Sequence, residues 1–117
     1  MAKKPEANLL DLVPVRQVDW ELNSENLVDL IVPKSKNSWI VSLIERLGKS
    51  SVVQIHLDDF GSFIWQQCDE KHTVFEIGQE LKSKFGESVE PVFDRLSAFI
   101  RLLVYHKYIT LSPDSNT

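Results

Sequence analysis

Hydrophobic and polar residues alternate at period two early in the chain. Val18, Trp20 and Leu22 fall on one side and Gln17, Asp19 and Glu21 on the other, which predicts a half-buried strand. Asn23-Ser24-Glu25-Asn26 is a turn cluster. The nearly continuous apolar run from Leu27 to Val32 then reads as the returning strand of a hairpin, ended by Pro33. Trp39, Ile40, Leu43, Ile44 and Leu47 recur at helical spacing before Gly48 and predict a short amphipathic helix. Alternation returns at 52–57, with Val53, Ile55 and Leu57 on one face and Val52, Gln54 and His56 on the other.

From Asp58 the period changes to 3.6. Asp58 or Asp59 caps a helix whose stripe is Phe60, Phe63, Ile64 and Gln67 or Cys68. Thr73-Val74-Phe75-Glu76 fits a capping box, followed by Val74, Ile77, Leu81 and Phe85 at helical spacing and Gly86 as a left-handed cap. Pro91 opens a third helix carrying Val92, Phe93, Leu96, Phe99, Ile100, Leu103 and Val104. Tyr108 to Leu111 is a final extended piece. The predicted fold is α+β and winged-helix-like: a small three-stranded antiparallel sheet followed by a three-helix bundle.

The expected boundaries follow from where periodicity begins and ends. Residues 1–16 carry two prolines and no sustained period, so they read as a flexible arm with a docking patch at Leu9, Leu10, Leu12 and Val13. Residues 17–111 form the folded domain, and 112–117 a disordered polar tail.

Composition narrows the function class. Of 117 residues, 43% are hydrophobic and 26% charged, which argues for a folded globular chain. The formal net charge of −4 disfavours nucleic acid as a partner. No apolar run approaches the roughly 18–20 residues that cross a bilayer, so no membrane partner is expected. Leu9 to Val15, interrupted by Asp11 and Pro14, makes no signal-peptide core. The single cysteine excludes an internal disulfide framework and suits a reducing cytoplasm.

No catalytic constellation can be assembled, and no cofactor or metal is expected. His56, His72 and His106 stand apart and belong to no metal-ligand motif. Cys68 lies on an apolar helical stripe and reads as an inert buried thiol, and Asp58-Asp59 read as helix caps. The four glycines form no phosphate-binding loop. What remains is apolar surface. The third helix is apolar over more than one stripe, and the strand at 52–57, if it lies at a sheet edge, offers free backbone groups to an extended peptide.

The stretch Leu57-Asp58-Asp59-Phe60-Gly61-Ser62-Phe63-Ile64-Trp65 followed by Cys68-Asp69-Glu70-Lys71-His72-Thr73-Val74-Phe75-Glu76-Ile77 resembles the PqqD family, coenzyme PQQ synthesis protein D. Leu57, Asp58, Gly61, Ile64, Trp65, Thr73, Val74, Glu76 and Ile77 match the pattern L-[DN]-x-x-G-x-x-[IV]-W-x-x-x-[DE]-G-x-x-T-[VI]-x-E-[IL]. The resemblance extends over roughly residues 16–111. There are departures. Glu70 stands where that family usually has glycine, His106-Lys107-Tyr108 replaces a glycine-containing exit, and 34–49 looks like an insertion.

The resemblance implies a non-catalytic recognition element for ribosomally made, modified peptides. Such an element binds the leader of a precursor peptide and delivers it to a radical S-adenosylmethionine enzyme, in PQQ biosynthesis or another pathway. By position it assigns the binding edge to Val52, Val53, Gln54, Ile55, His56 and Leu57. It assigns the cleft wall to Arg95, Phe99 and Leu102, with Arg95 and Arg101 available to leader carboxylates. Two alternatives remain. One is a winged-helix nucleic-acid binder using Arg95, Arg101 and Lys107. The other is a structural module that forms a homodimer through Leu9 to Val13 or the helix from Trp39 to Leu47.

Overall fold

The computed structural model describes residues 8–114. It contains five strands, β1 (Leu12–Arg16), β2 (Asp19–Leu22), β3 (Val28–Pro33), β4 (Val52–His56) and β5 (Ile109–Pro113). The helices are α1 (Ser38–Arg46), α2 (Asp59–Gln67), α3 (Val74–Phe85) and α4 (Val92–Tyr105), with 3-10 turns at Leu9–Asp11 and Gly86–Val89. Two compact units divide the chain. One is residues 18–62, and the other combines the segment up to residue 17 with the segment from residue 63 onward, so the division falls within α2.

The first unit is built on an antiparallel sheet in the order β2-β3-β4. The β2–β3 turn is organised by Asn23, whose Oδ1 accepts from the N–H groups of Glu25 (2.8 Å) and Leu27 (3.2 Å). Asn26 takes φ +63°, a region that asparagine tolerates better than most residues. Pairing of Trp20 with Leu30 and of Leu30 with Ile55 puts these apolar side chains on one face. The opposite face carries Glu21, Asp29, Gln54 and His56. Val28 and Leu30 are fully buried. Asp58 Oδ1 caps the start of α2 by accepting from the Gly61 N–H at 2.8 Å. The buried Ser62 hydroxyl sits inside the β3–β4 ladder. It accepts from the Val28 N–H at 2.8 Å and donates to the Leu57 carbonyl at 3.3 Å, bridging the two strand ends as a water molecule would.

The second unit is mainly helical. Ile64, Trp65, Cys68, Val74, Ile77, Leu81, Leu96 and Ile100 are fully buried. The capping box on α3 is present in both halves: Thr73 Oγ1 accepts from the Glu76 N–H at 3.1 Å, and Glu76 Oε1 accepts from the Thr73 N–H at 2.8 Å. The α3–α4 seam depends on Gly78. A Cβ there would stand 2.2 Å from Cε1 of Phe93, and the Phe93 ring stacks on Phe75 with centroids 5.6 Å apart. Cys68 is buried, and burial pushes its thiol up to about 12, which fits an inert side chain.

The α+β class holds, with two antiparallel sheets and four helices. Several expectations need correction. The arm expected over residues 1–16 contains β1, which pairs with β5, and the turn Leu9–Asp11 lies beside α3, so the supposed docking patch is part of the fold. Val13 is 5% exposed. In the expected tail, Ser112 and Pro113 belong to β5. Residues 1–7 and 115–117 lie outside the described residues. The prolines that hid this sheet do it no harm. The Gln17 N–H donates to the Tyr108 carbonyl at 2.8 Å, so with Gln17 and Tyr108 as a hydrogen-bonded pair the alternation turns Pro14 and Pro113 away from the ladder.

Two of the three departures from the family pattern fall on unusual backbone. Glu70 has φ +70° and Lys107 φ +65°, a region that favours glycine. Lys107 occupies the left-handed position of a Schellman motif closing α4. Its N–H donates to the Val104 carbonyl, and the Tyr108 N–H donates to the Leu103 carbonyl, both at 2.9 Å. Gly48 ends α1 in the same way with φ +77°. Lys107→Gly and Glu70→Gly should therefore each raise stability by about 0.5–1 kcal/mol, the relief of left-handed strain less the added entropy of glycine. Urea unfolding checks this, and a loss in both variants would show that the side chains contribute more than the strain costs. Thr73→Ala should cost about 1 kcal/mol and Thr73→Ser almost nothing. Equal losses would mean that the Thr73 methyl, and not its hydroxyl, matters.

Candidate functional site

β4 forms because Val52, Val53 and Ile55 favour extended backbone and alternate with Gln54 and His56. Its hydrogen-bond parity is fixed at both ends. The Lys34 N–H donates to the Ser51 carbonyl at 2.8 Å, and the Leu57 N–H donates to the Val28 carbonyl at 2.9 Å. With the register Ile31↔Gln54 and Leu30↔Ile55, the residues that turn their backbone toward β3 are Ser51, Val53, Ile55 and Leu57. Val52, Gln54 and His56 turn theirs outward. Among the described residues β4 is an edge strand, and Val52, Val53, Gln54 and His56 are exposed.

The outward groups are not equivalent. The Ser50 hydroxyl accepts from the Val52 N–H at 3.3 Å and donates to the Val52 carbonyl at 3.2 Å, so this end of the edge is closed by its own chain. Gln54 and His56 are the other two residues of β4 whose backbone turns away from β3. On the polar face, Gln54 Nε2 donates to Glu21 Oε2 at 3.3 Å. His56 Nδ1 lies 2.6 Å from Asp29 Oδ1, and Asn23 Nδ2 donates to the same oxygen at 3.1 Å. Asp29 is nearly covered, with its side chain 5% exposed, whereas the His56 ring is 69% exposed. The hydrogen bond from His56 holds the Asp29 carboxyl below the usual carboxylate range, against the opposing effect of burial. The network pins one side of the imidazole and leaves the rest of the ring in solvent at the edge.

The remaining sequence-predicted residues lie on α4, in the other unit. Arg95, Phe99 and Leu102 are spaced i, i+4, i+7 and share one helical face beside the buried row Leu96, Ile100 and Leu103. Arg95 is exposed, and its Nη1 donates to the Ser88 carbonyl at 3.0 Å, so it is anchored rather than freely available. Phe99 is half-buried, and Leu102 is 51% exposed. Leu57 lies just past β4 and commits its N–H to Val28. Of the histidines, His72 pairs with Asp69 at 2.9 Å. No group of three or more His, Cys, Asp or Glu side chains able to hold a metal occurs among the described residues. No helix among them is long and apolar enough to cross a membrane.

A family model described as Coenzyme PQQ synthesis protein D (PqqD) matches residues 42–109, more than half of the chain. The chain belongs to the PqqD family. No curated protein and no solved structure gives a significant match. The PqqD match begins inside α1 and ends on the first residue of β5, so it takes in β4 and α2 to α4. Every residue assigned to peptide binding from the PqqD pattern falls within it. The sequence reading missed the Asp29–His56–Asn23 network, Ser50 and Ser62. Asp29 had a visible signal, a lone carboxylate inside the apolar run from Leu27 to Val32. The two serines had none.

Asp29 contributes stability above the pKa of a free aspartate, and this contribution falls away as pH drops through its lowered folded value. In a carbon-detected NMR titration the Asp29 carboxyl should titrate below the free value of about 3.9. In His56→Phe it should titrate higher than in the parent chain, because burial then acts without the opposing hydrogen bond. An unchanged value in His56→Phe would show that His56 does not set the charge state of Asp29.

Proposed function

We propose that this chain is a non-catalytic peptide-binding protein. It takes the leader of a ribosomally made precursor peptide as an added strand on β4 and delivers it to a modifying enzyme of the radical S-adenosylmethionine type. The pathway is PQQ synthesis or another peptide modification. Membership of the PqqD family supports an accessory role of this kind. The observation that carries the reading is the exposed edge of β4, with the backbone of Gln54 and His56 turned outward. Unpaired edge groups are a template for an extended chain, and their hydrogen bonds supply affinity that is independent of sequence. Selection then falls to side chains. Val53 and Ile55 flank the edge on its apolar face, Gln54 and His56 on its polar face, and Arg95, Phe99 and Leu102 are proposed to read the peptide's own side chains.

Proline substitution tests the reading. Gln54→Pro removes an outward N–H and leaves the β3–β4 ladder its bonds, so the circular dichroism spectrum should be retained while leader-peptide binding is lost. Ile55→Pro removes an inward N–H and should destabilise the sheet itself. Phe99→Ala should weaken peptide binding by roughly 1–3 kcal/mol, the range for an apolar anchor. A folded Gln54→Pro chain that binds the leader as tightly as the parent would overturn strand addition at β4.

A further inference from the structure

The helix α1 presents apolar side chains outward. Trp39 is 68% exposed, Leu43 48% and Leu47 66%, and no residue of the helix is buried. Trp39, Leu43 and Leu47 stand at i, i+4 and i+8, so they form one row along the helix. The inner side is taken by Ile40, Val41 and Ile44, each half-buried. Trp39, Ser42, Leu43 and Arg46 line an open groove on the outer side. A row of this size left in water needs a reason, because burying it would be favourable.

Charge around the row is the second observation. Lys34, Lys36, Arg46 and Lys49 lie in or beside α1 against Glu45 alone. Glu45 is itself engaged, accepting from the Ser51 hydroxyl at 2.6 Å. None of the four basic groups is in a salt bridge among the described residues. The excess of positive charge over 34–49 stands out in a chain whose formal net charge is −4. A second copy of the same helix would bring like charges face to face, which disfavours self-association through this row. An anionic surface fits instead. It attracts the basic segment over 34–49. A tryptophan ring also suits the boundary between headgroups and acyl chains. Attachment of this kind needs no spanning helix.

We infer that α1 is a membrane-surface docking helix. It seats Trp39, Leu43 and Leu47 in the headgroup region of an anionic bilayer, with Lys34, Lys36, Arg46 and Lys49 on the lipid phosphates. The site is distinct from the β4 edge, so it does not rest on the peptide-binding reading.

The test uses the full chain with vesicles of phosphatidylcholine containing phosphatidylglycerol, and with pure phosphatidylcholine as the control. The chain should sediment with the anionic vesicles and not with the neutral ones, with a blue shift of tryptophan emission that disappears in Trp39→Phe. Binding should weaken steeply as salt rises. Leu43→Ser combined with Trp39→Ser, both at exposed positions, should leave the circular dichroism spectrum unchanged and reduce vesicle binding by about tenfold or more. Lys36→Glu with Lys49→Glu should do the same, since each cation near an anionic surface adds appreciably to binding. The inference is overturned if anionic vesicles are not bound, or if binding survives both double variants. It is equally overturned if the row is captured by a soluble acidic protein or by nucleic acid in place of lipid.

Discussion

Antiparallel pairing with β3 imposes a parity on β4 from which the candidate site follows. The two hydrogen bonds that flank the strand, Lys34 to Ser51 and Leu57 to Val28, fix which residues spend their backbone inside the sheet. Everything between them alternates, so Gln54 and His56 face outward by geometry and not by side-chain preference. The Ser62 hydroxyl helps hold this register, since it completes the pairing at the Val28–Leu57 end. A slip of one residue would exchange the inward and outward sets and turn the apolar face of the strand over. Edge, register and polar network are therefore one arrangement.

Sequence periodicity carries far in this chain because most of its elements have one apolar face. The hairpin of β2 and β3, the edge strand and the helices all show it, and the capping box of Thr73 and Glu76 is legible because its two side chains act only on neighbouring backbone. The β1–β5 sheet was not legible. Its strands are far apart in sequence, and each contains a proline, which ordinarily argues against pairing. Only the register shows that Pro14 and Pro113 stand where no ladder donor is needed. Glu70 and Lys107 were readable as departures from a glycine pattern, but their positive φ values belong to the folded backbone.

The site was legible in outline. The alternation at 52–57 marks a strand, yet it does not distinguish Val52, whose outward groups are bonded to Ser50, from Gln54. Nor does sequence show that Asp29 orients His56. A buried carboxylate needs partners, and here they come from residues six positions before and 27 positions after it in the chain. Long-range pairing of this kind lies beyond any local pattern. The row on α1 is the opposite case. Its amphipathic spacing is obvious in the sequence, and the structure adds that the apolar residues point outward as well as inward.

Amide hydrogen exchange along β4, residue by residue, tests the central claim most directly. In the free chain the amides of Val53, Ile55 and Leu57 should be protected by the ladder, while those of Gln54 and His56 exchange as exposed groups do. A cognate leader peptide should slow Gln54 and His56 and leave the inward set as it was. Protection of Gln54 and His56 in the free chain, or their continued fast exchange with the leader bound, would contradict the account.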